Sequence, residues 1–144
     1  MIVDNTLVFS DSQAITADAG STNVIDLGAT GTAYGHASAL ARDIGKGNEI
    51  PIAVTVTEAF DALTTLNIKV QSDDNAAFSS AKTIAQSGEI ALASLVLGYK
   101  FSFPAEVPEG ADERYLRLYY DITGSSPTVG KIFAAIVAGR QTNP

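Results

Sequence analysis

The stretch Ile50-Pro51-Ile52-Ala53-Val54-Thr55-Val56-Thr57 alternates apolar with small or polar residues. A period of two suits a half-buried strand and fits no helix. Ile52, Val54 and Val56 share one face, and Ala53, Thr55 and Thr57 share the other. Pro51 stands near the strand start, where its missing N–H is tolerated. Any fold for this chain must give such segments a sheet with one apolar face.

Similar segments recur along the chain, divided by Gly, Pro, Asp and Ser. They are Thr6-Leu7-Val8-Phe9, Ala14-Ile15-Thr16, Asn23-Val24-Ile25-Asp26-Leu27, Leu66-Asn67-Ile68-Lys69-Val70-Gln71, Thr83-Ile84-Ala85, Tyr99-Lys100-Phe101-Ser102-Phe103, and the longer runs 114–123 and 131–137. About nine short strands at even spacing favour an all-β, antiparallel β-sandwich or barrel over alternating strand–helix units. At 144 residues, one domain over 1–144 is expected. Its core should hold Leu7, Phe9, Ile25, Ile52, Val54, Val56, Leu66, Ile68, Val70, Phe101, Leu116, Leu118, Tyr120 and Ile122. Three stretches could each form a single helical turn: 36–42, 74–78 (with Asp73 as cap) and 91–97.

Composition removes whole classes of chemistry. Without cysteine there is no disulfide, thiolate zinc site, iron–sulfur cluster or thiol nucleophile. A single histidine excludes sites needing two imidazoles from one chain. The net charge of −7 argues against nucleic acid or an anionic membrane as partner, since both select a basic surface. Asp4, Asp11, Asp18 and Asp26 all precede the first basic residue, Arg42. Solubility explains them most simply; a salt-sensitive contact with a basic partner is the sharper alternative. Met1-Ile2-Val3-Asp4 has no basic leader character, and no apolar run approaches the roughly 20 residues of a membrane span. The expectation is a soluble protein made in the cytosol.

No catalytic set emerges. His36 lies in a Gly/Ala/Ser loop, and no Gly-x-Ser-x-Gly elbow accompanies it. Asp73-Asp74 and Asp112-Glu113 are sequence neighbours whose side chains diverge in extended backbone. Asp73-Asp74-Asn75 lacks the spacing, glycine and terminal glutamate of a calcium loop, so turn chemistry explains it. Glu106, Glu109, Asp112 and Glu113 read as an acidic turn around Pro108-Glu109-Gly110. Gly28-Ala29-Thr30-Gly31 and Gly45-Lys46-Gly47 match no phosphate-binding spacing. No enzyme activity, cofactor or metal is expected.

The run Arg114-Tyr115-Leu116-Arg117-Leu118-Tyr119-Tyr120-Asp121-Ile122-Thr123 is the most informative segment. Leu116, Leu118, Tyr120 and Ile122 form an apolar face, which leaves Tyr115, Arg117 and Tyr119 opposite. Tyr and Arg are enriched at interface hot spots, so these three are the candidate interface residues. An ordinary sheet exterior is the plainer reading.

The ordered set of segments resembles a known family. It comprises Ser10-Asp11-Ser12-Gln13-Ala14-Ile15-Thr16, Ser21-Thr22-Asn23-Val24-Ile25-Asp26-Leu27-Gly28, Ala41-Arg42-Asp43-Ile44-Gly45, Glu58-Ala59-Phe60, Gln71-Ser72-Asp73-Asp74-Asn75-Ala76-Ala77-Phe78-Ser79-Ser80, Arg114-Tyr115-Leu116-Arg117-Leu118-Tyr119-Tyr120 and Thr128-Val129-Gly130-Lys131. In this order they resemble the small capsid cement, or head-decoration, proteins of tailed bacteriophages of the Bordetella-phage type. One departure is the stretch 29–40, longer than the family's usual link at that point.

The resemblance implies a jelly-roll-like β-sandwich without enzymatic activity, carried on the outside of the virion capsid and made in the bacterial cytoplasm. It implies two partners: the major capsid protein, and a second copy of the chain, as dimers across capsid two-fold axes. The competing expectation is a β-sandwich module for a glycan or host receptor, with Tyr34 and Tyr99 as candidate contact residues.

Overall fold

The computed structural model describes residues 3–40, 51–102 and 113–139. Two antiparallel sheets pack face to face as a β-sandwich. The first sheet has the order β1 (Val8–Ala14), β9 (Lys131–Ile136), β4 (Ile52–Glu58). The second has the order β2 (Ala19–Gly20), β8 (Tyr115–Gly124), β5 (Leu63–Asp73), β6 (Lys82–Gln86); β3 (Ile25–Asp26) also pairs with β8, and β7 (Ile90–Ala91) with β5. Two 3-10 turns, Asn5–Leu7 and Leu92–Ser94, complete the regular structure among the described residues.

The longest ladder pairs β5 with β8, in unbroken register from Thr65 opposite Thr123 to Asp73 opposite Tyr115. Both strands alternate in burial as their sequences alternate in polarity. Leu66, Ile68 and Val70 on β5, with Leu116, Leu118 and Tyr120 on β8, meet Phe9, Ile52, Val54, Val56, Ile132 and Ala134 of the first sheet in one core. Twelve of the fourteen expected core residues are buried, while Leu7 and Ile122 pack half-buried against the core's edge. Leu7 ends a 3-10 turn rather than lying in a strand, which accounts for its place. A smaller apolar cluster of Val8, Ala135 and Val137 is separate from this core, with Val3, Ala53 and Phe133 packed against it.

The strand boundaries differ from expectation where the chain is irregular. The first two expected strands are one strand, Val8–Ala14, interrupted by register shifts at Val8/Ser10 and Ser10/Gln13, with Ser12 at φ 51°. Bulges of this kind break the period of two that sequence reading depends on. The expected strand at Tyr99-Lys100-Phe101 is only a brief ribbon along β4: Val56 N–H donates to Tyr99 O, Phe101 N–H donates to Val54 O, and Lys100 bridges Thr55. Phe103, at its end, lies outside the described residues. Of the three helical expectations, only 92–94 forms a helical turn; 74–78 forms hydrogen-bonded turns, and 36–40 forms bends, with 41 and 42 outside the described residues. A lone turn gains one hydrogen bond for several fixed dihedrals, so it needs packing that the exposed 36–40 segment lacks.

Loops join the two sheets on both sides. Asn23, between β2 and β3, donates its N–H to Phe9 O and its Nδ2 to Val8 O. Opposite, Phe60 N–H donates to Leu95 O and Gly98 N–H donates to Val56 O. Inside, Ser10 of β1 and Tyr120 of β8 are hydrogen-bonded at 2.7 Å across the sandwich. Ser10 gives its hydroxyl proton to Gln13 Oε1, so the Tyr120 phenol is the donor to Ser10. Burial raises the Tyr120 pKa far above its ordinary value, outweighing the Ser10 hydrogen bond and keeping the phenol protonated.

Asp61 ties the turn after β4 to the loop before β9. Its carboxylate accepts from Thr128 Oγ1 at 2.6 Å, Thr128 N–H at 2.7 Å and Val129 N–H at 3.1 Å. The Thr128 hydroxyl, followed by the two N–H groups, holds Asp61 below the ordinary value of 3.8. A lowered folded-state pKa means a contribution fully present above 3.8 and lost as pH falls through the folded value. Hydrogen exchange at the Thr128 and Val129 amides should therefore keep its protection at neutral pH and lose it in acid below that range. Protection of these two amides at neutral pH that is unchanged in Asp61→Asn would refute the tether.

Candidate interaction surface

With Leu116, Leu118 and Tyr120 turned into the core, the pleat sends Tyr115, Arg117 and Tyr119 to the outer face of the second sheet, each half-buried. The register with β5 sets Tyr115 beside Asp73, Arg117 beside Gln71, Tyr119 beside Lys69 and Asp121 beside Asn67. Lys69 Nζ meets Asp121 Oδ2 at 2.6 Å. The face therefore mixes aromatic, amide and oppositely charged groups, on a protein that is strongly acidic overall.

Arg117 is held within the chain. Its Nε donates to Gln71 Oε1 at 2.8 Å, and its guanidinium carbon sits 4.2 Å over the Phe78 ring centroid and 5.4 Å from that of Tyr119. Gly20 of β2 lies alongside it, where a Cβ would make an ordinary contact at 3.4 Å from Arg117 Nη1. Partial burial lowers the Arg117 pKa, against the pull of Tyr119 and Asp73. The stack keeps the guanidinium pre-placed, so little side-chain entropy is left to lose in any further contact.

Phe78 is the residue sequence reading missed. It arrives from the β5–β6 loop, which Asp73 folds: Asp73 accepts from Asn75 N–H at 2.9 Å, Ser80 N–H at 2.8 Å and Ser80 Oγ at 3.0 Å. Burial pushes Asp73 upward, but these hydrogen bonds outweigh it and leave its pKa below the ordinary value. A phenylalanine in an otherwise polar loop, Asp73-Asp74-Asn75-Ala76-Ala77-Phe78-Ser79-Ser80, was the available signal. The expected turn chemistry of Asp73 is thus seen, and its purpose is to seat Phe78 beneath Arg117.

At the Tyr115 end, Arg114 forms a two-pronged bridge to Asp26, with Nε to Oδ1 and Nη2 to Oδ2 both at 2.7 Å. This raises the Arg114 pKa, chiefly through the Asp26 hydrogen bonds. Arg114 also lies 5.0 Å over the Tyr115 ring. Lys82 pairs with Glu113 nearby. Glu106, Glu109 and Asp112 fall outside the described residues.

The other singled-out residues have local roles. Asp4 caps the Asn5–Leu7 turn through Thr6 N–H at 2.8 Å, and Asp18 accepts Ile122 N–H at 2.8 Å, while Asp11 is exposed. Gly28 N–H donates to Asp26 Oδ1, a turn rather than a phosphate cradle. Gly45, Lys46 and Gly47 lie outside the described residues. His36 is exposed, and among the described residues no group of three His, Cys, Asp or Glu side chains could hold a metal ion. Tyr99 is half-buried and edge-on to Phe101 at 5.1 Å, whereas Tyr34 is fully exposed. No helix among the described residues is long and apolar enough to cross a membrane.

No curated protein matches the chain. One family model does: Bbp16, over residues 9–136, from the first core phenylalanine to the last residue of β9. The name points to a Bordetella phage protein, in keeping with the order of segments and with the β-sandwich they build. By a match that takes in both sheets and the whole Tyr115–Arg117–Tyr119 face, the chain belongs to the Bbp16 family.

Proposed function

We propose that this protein is a non-enzymatic capsid cement, or head-decoration, protein that binds the outer surface of an assembled phage shell and ties neighbouring major capsid protein subunits together. The observation that carries this reading is the outer face of the second sheet: in a chain of a phage family, Tyr115, Arg117 and Tyr119 stand side by side on a central strand, half-exposed and pre-placed. Rigid tyrosines and a stacked arginine supply contact area at low entropic cost. The partner at this face is the shell, or a second copy bridging to it.

The mechanism is mass action. A protein that binds the assembled shell and not free subunits stabilises the shell by its binding free energy. Many symmetric copies make the sum large with no single strong contact.

Co-sedimentation with purified, expanded shells tests the reading. The wild-type chain should pellet with shells and ignore a glycan array; the reverse outcome favours a glycan-binding module instead. Tyr119→Ala should weaken shell binding or self-association by more than ~1 kcal/mol, the usual mark of a significant interface residue. Its thermal stability should change by less than about 0.5 kcal/mol, as for other surface changes. Tyr119 is a cleaner probe than Arg117, because Arg117 also covers Phe78. Normal decoration and self-association by Tyr119→Ala would return this face to plain sheet exterior.

A further inference from the structure

Arg117 is engaged on one side only. Its Nε donates to Gln71 Oε1 at 2.8 Å, while its two terminal NH2 groups have no hydrogen-bond partner among the described residues. Other basic side chains are neutralised: Lys69 faces Asp121, Lys82 faces Glu113, Arg114 grips Asp26, and on the first sheet Lys131 meets Glu58. Arg117 bonds to no carboxylate among the described residues, because the oxygens of nearby Asp73 are taken by Asn75 and Ser80. Beneath it, Phe78 sits at φ 53°, a left-handed backbone conformation that is an outlier for a bulky side chain. Phe78 N–H donates to Asn75 O at 2.9 Å, and its ring is buried under the guanidinium. Such strain persists only where the surroundings enforce a geometry, and the geometry enforced here is a guanidinium with an open fork.

The loop that seats Phe78 also carries the complement to Arg117. Asp74 is exposed and faces no basic side chain among the described residues. The hydrogen bond it shares with Asp73, together with the Glu113 charge, pushes its pKa upward. A cation brought to Asp74 would oppose that push. Asp73 stands beside Tyr115 in the ladder, and Phe78 lies against Arg117. The loop 73–80 therefore crosses the outer face with Asp74 near one end and the open fork at the other. An arginine without a carboxylate and a carboxylate without a cation make this face self-complementary. Self-complementarity is what a two-fold contact between identical copies requires.

We propose that Arg117 of one copy takes the Asp74 carboxylate of a second copy, and the reverse, about a two-fold axis lying between the two residues. The inference rests on the reading of this face as an interface and narrows it to one occupant. The occupant follows from the charges of this chain. Lys69, Lys82, Arg114 and Arg117 lie on or beside the face, leaving only Lys100 and Lys131 elsewhere among the described residues. A chain of net charge −7 thus gathers its basic groups where an acidic surface can approach, and a second copy supplies such a surface. Arg114 and Asp26 display the geometry expected at the contact, two N–H···O bonds between planar groups. The Phe78 and Tyr119 rings already hold the guanidinium, so forming the bridge orders one exposed side chain rather than two.

The test reads self-association of the full-length chain by light scattering over a range of concentrations. Asp74→Lys and Arg117→Glu should each weaken it tenfold or more, because each sets two pairs of like charges in contact. An equimolar mixture of the two variants should restore it. In the mixed pair the introduced lysine meets the introduced glutamate, and the native Arg117 of one copy meets the native Asp74 of the other. Wild-type self-association by Asp74→Lys overturns the proposal, and so does a mixture of folded variants that associates no better than its parts. Thermal melting checks that both variants fold; should Arg117→Glu not fold, Asp74→Lys alone decides, since residue 74 is exposed. A wild-type chain that stays monomeric throughout also overturns the pairing. The cement reading is judged separately, by co-sedimentation of the wild-type chain with shells, so either can fail without the other.

Discussion

Replacing Leu118 with alanine should cost the folded protein about 2–5 kcal/mol, the range found for buried leucines that leave a cavity. Leu118 is fully buried at the middle of β8, the strand on which β2, β3 and β5 all pair. Its backbone is held as well: Ser21 N–H donates to Leu118 O at 2.8 Å, and Leu118 N–H donates to Ser21 Oγ at 3.2 Å. The backbone therefore has little freedom to close over the lost volume. Urea unfolding should show the midpoint falling with an unchanged slope, since the same surface is exposed on unfolding. A loss below about 1 kcal/mol, well under the range for such cavities, would mean that the two sheets collapse around the site more freely than a close-packed core permits.

The second large effect belongs to Gly130. Its φ is 136°, a conformation that side-chain-bearing residues rarely adopt, and an added Cβ would stand 2.3 Å from Phe60 Cδ1. Phe60 is itself buried in the core and cannot swing into solvent without exposing its ring. Gly130→Ala therefore combines backbone strain with overpacking, each worth about 1–3 kcal/mol, for an expected loss of about 2–6 kcal/mol. Gly130 O also accepts from Ile15 N–H at 3.0 Å, so a shift of residue 130 disturbs the end of β1. Thermal unfolding should report the loss at about 2–4 °C per kcal/mol for a chain of this size. If the melting temperature holds within a degree, Phe60 has room to move that the packing does not show. Phe60→Leu in the same background is the control: removing the ring should recover part of the loss if the clash is the cause.

The proposed cement function gives both variants a further use. Each lowers the stability of the free chain while leaving Tyr115, Arg117, Tyr119 and Asp74 in place. Under that proposal shell binding adds its own free energy to the folded form, so decorated shells should hold these variants folded above the temperature at which they melt alone.

What could be read from the sequence was set by side-chain periodicity. In β4, β5 and β8 each residue's face follows from its parity. The apolar set Ile52/Val54/Val56, Leu66/Ile68/Val70 and Leu116/Leu118/Tyr120 was legible, and with it the outward direction of Tyr115, Arg117 and Tyr119. A β-sandwich follows because each such strand has one face that must be covered. Order and spacing of short motifs carried the family resemblance, since the family match spans both sheets. Tertiary structure decided everything that breaks the period or joins distant positions. The bulges of β1 turn Ser10 inward to Tyr120, 110 residues away in sequence, where parity from Phe9 would send it outward. Phe78 reaches the outer face through the loop that the Asp73 carboxylate folds, and Arg117, nearly 40 residues further on, stacks over its ring. Tyr99 and Phe101 alternate like a strand, yet pair only briefly with β4, because strand length depends on a neighbour's backbone and not on the segment's own pattern. Local periodicity is a property of one segment, whereas these contacts depend on which segments the fold brings together, and no single stretch of sequence encodes that.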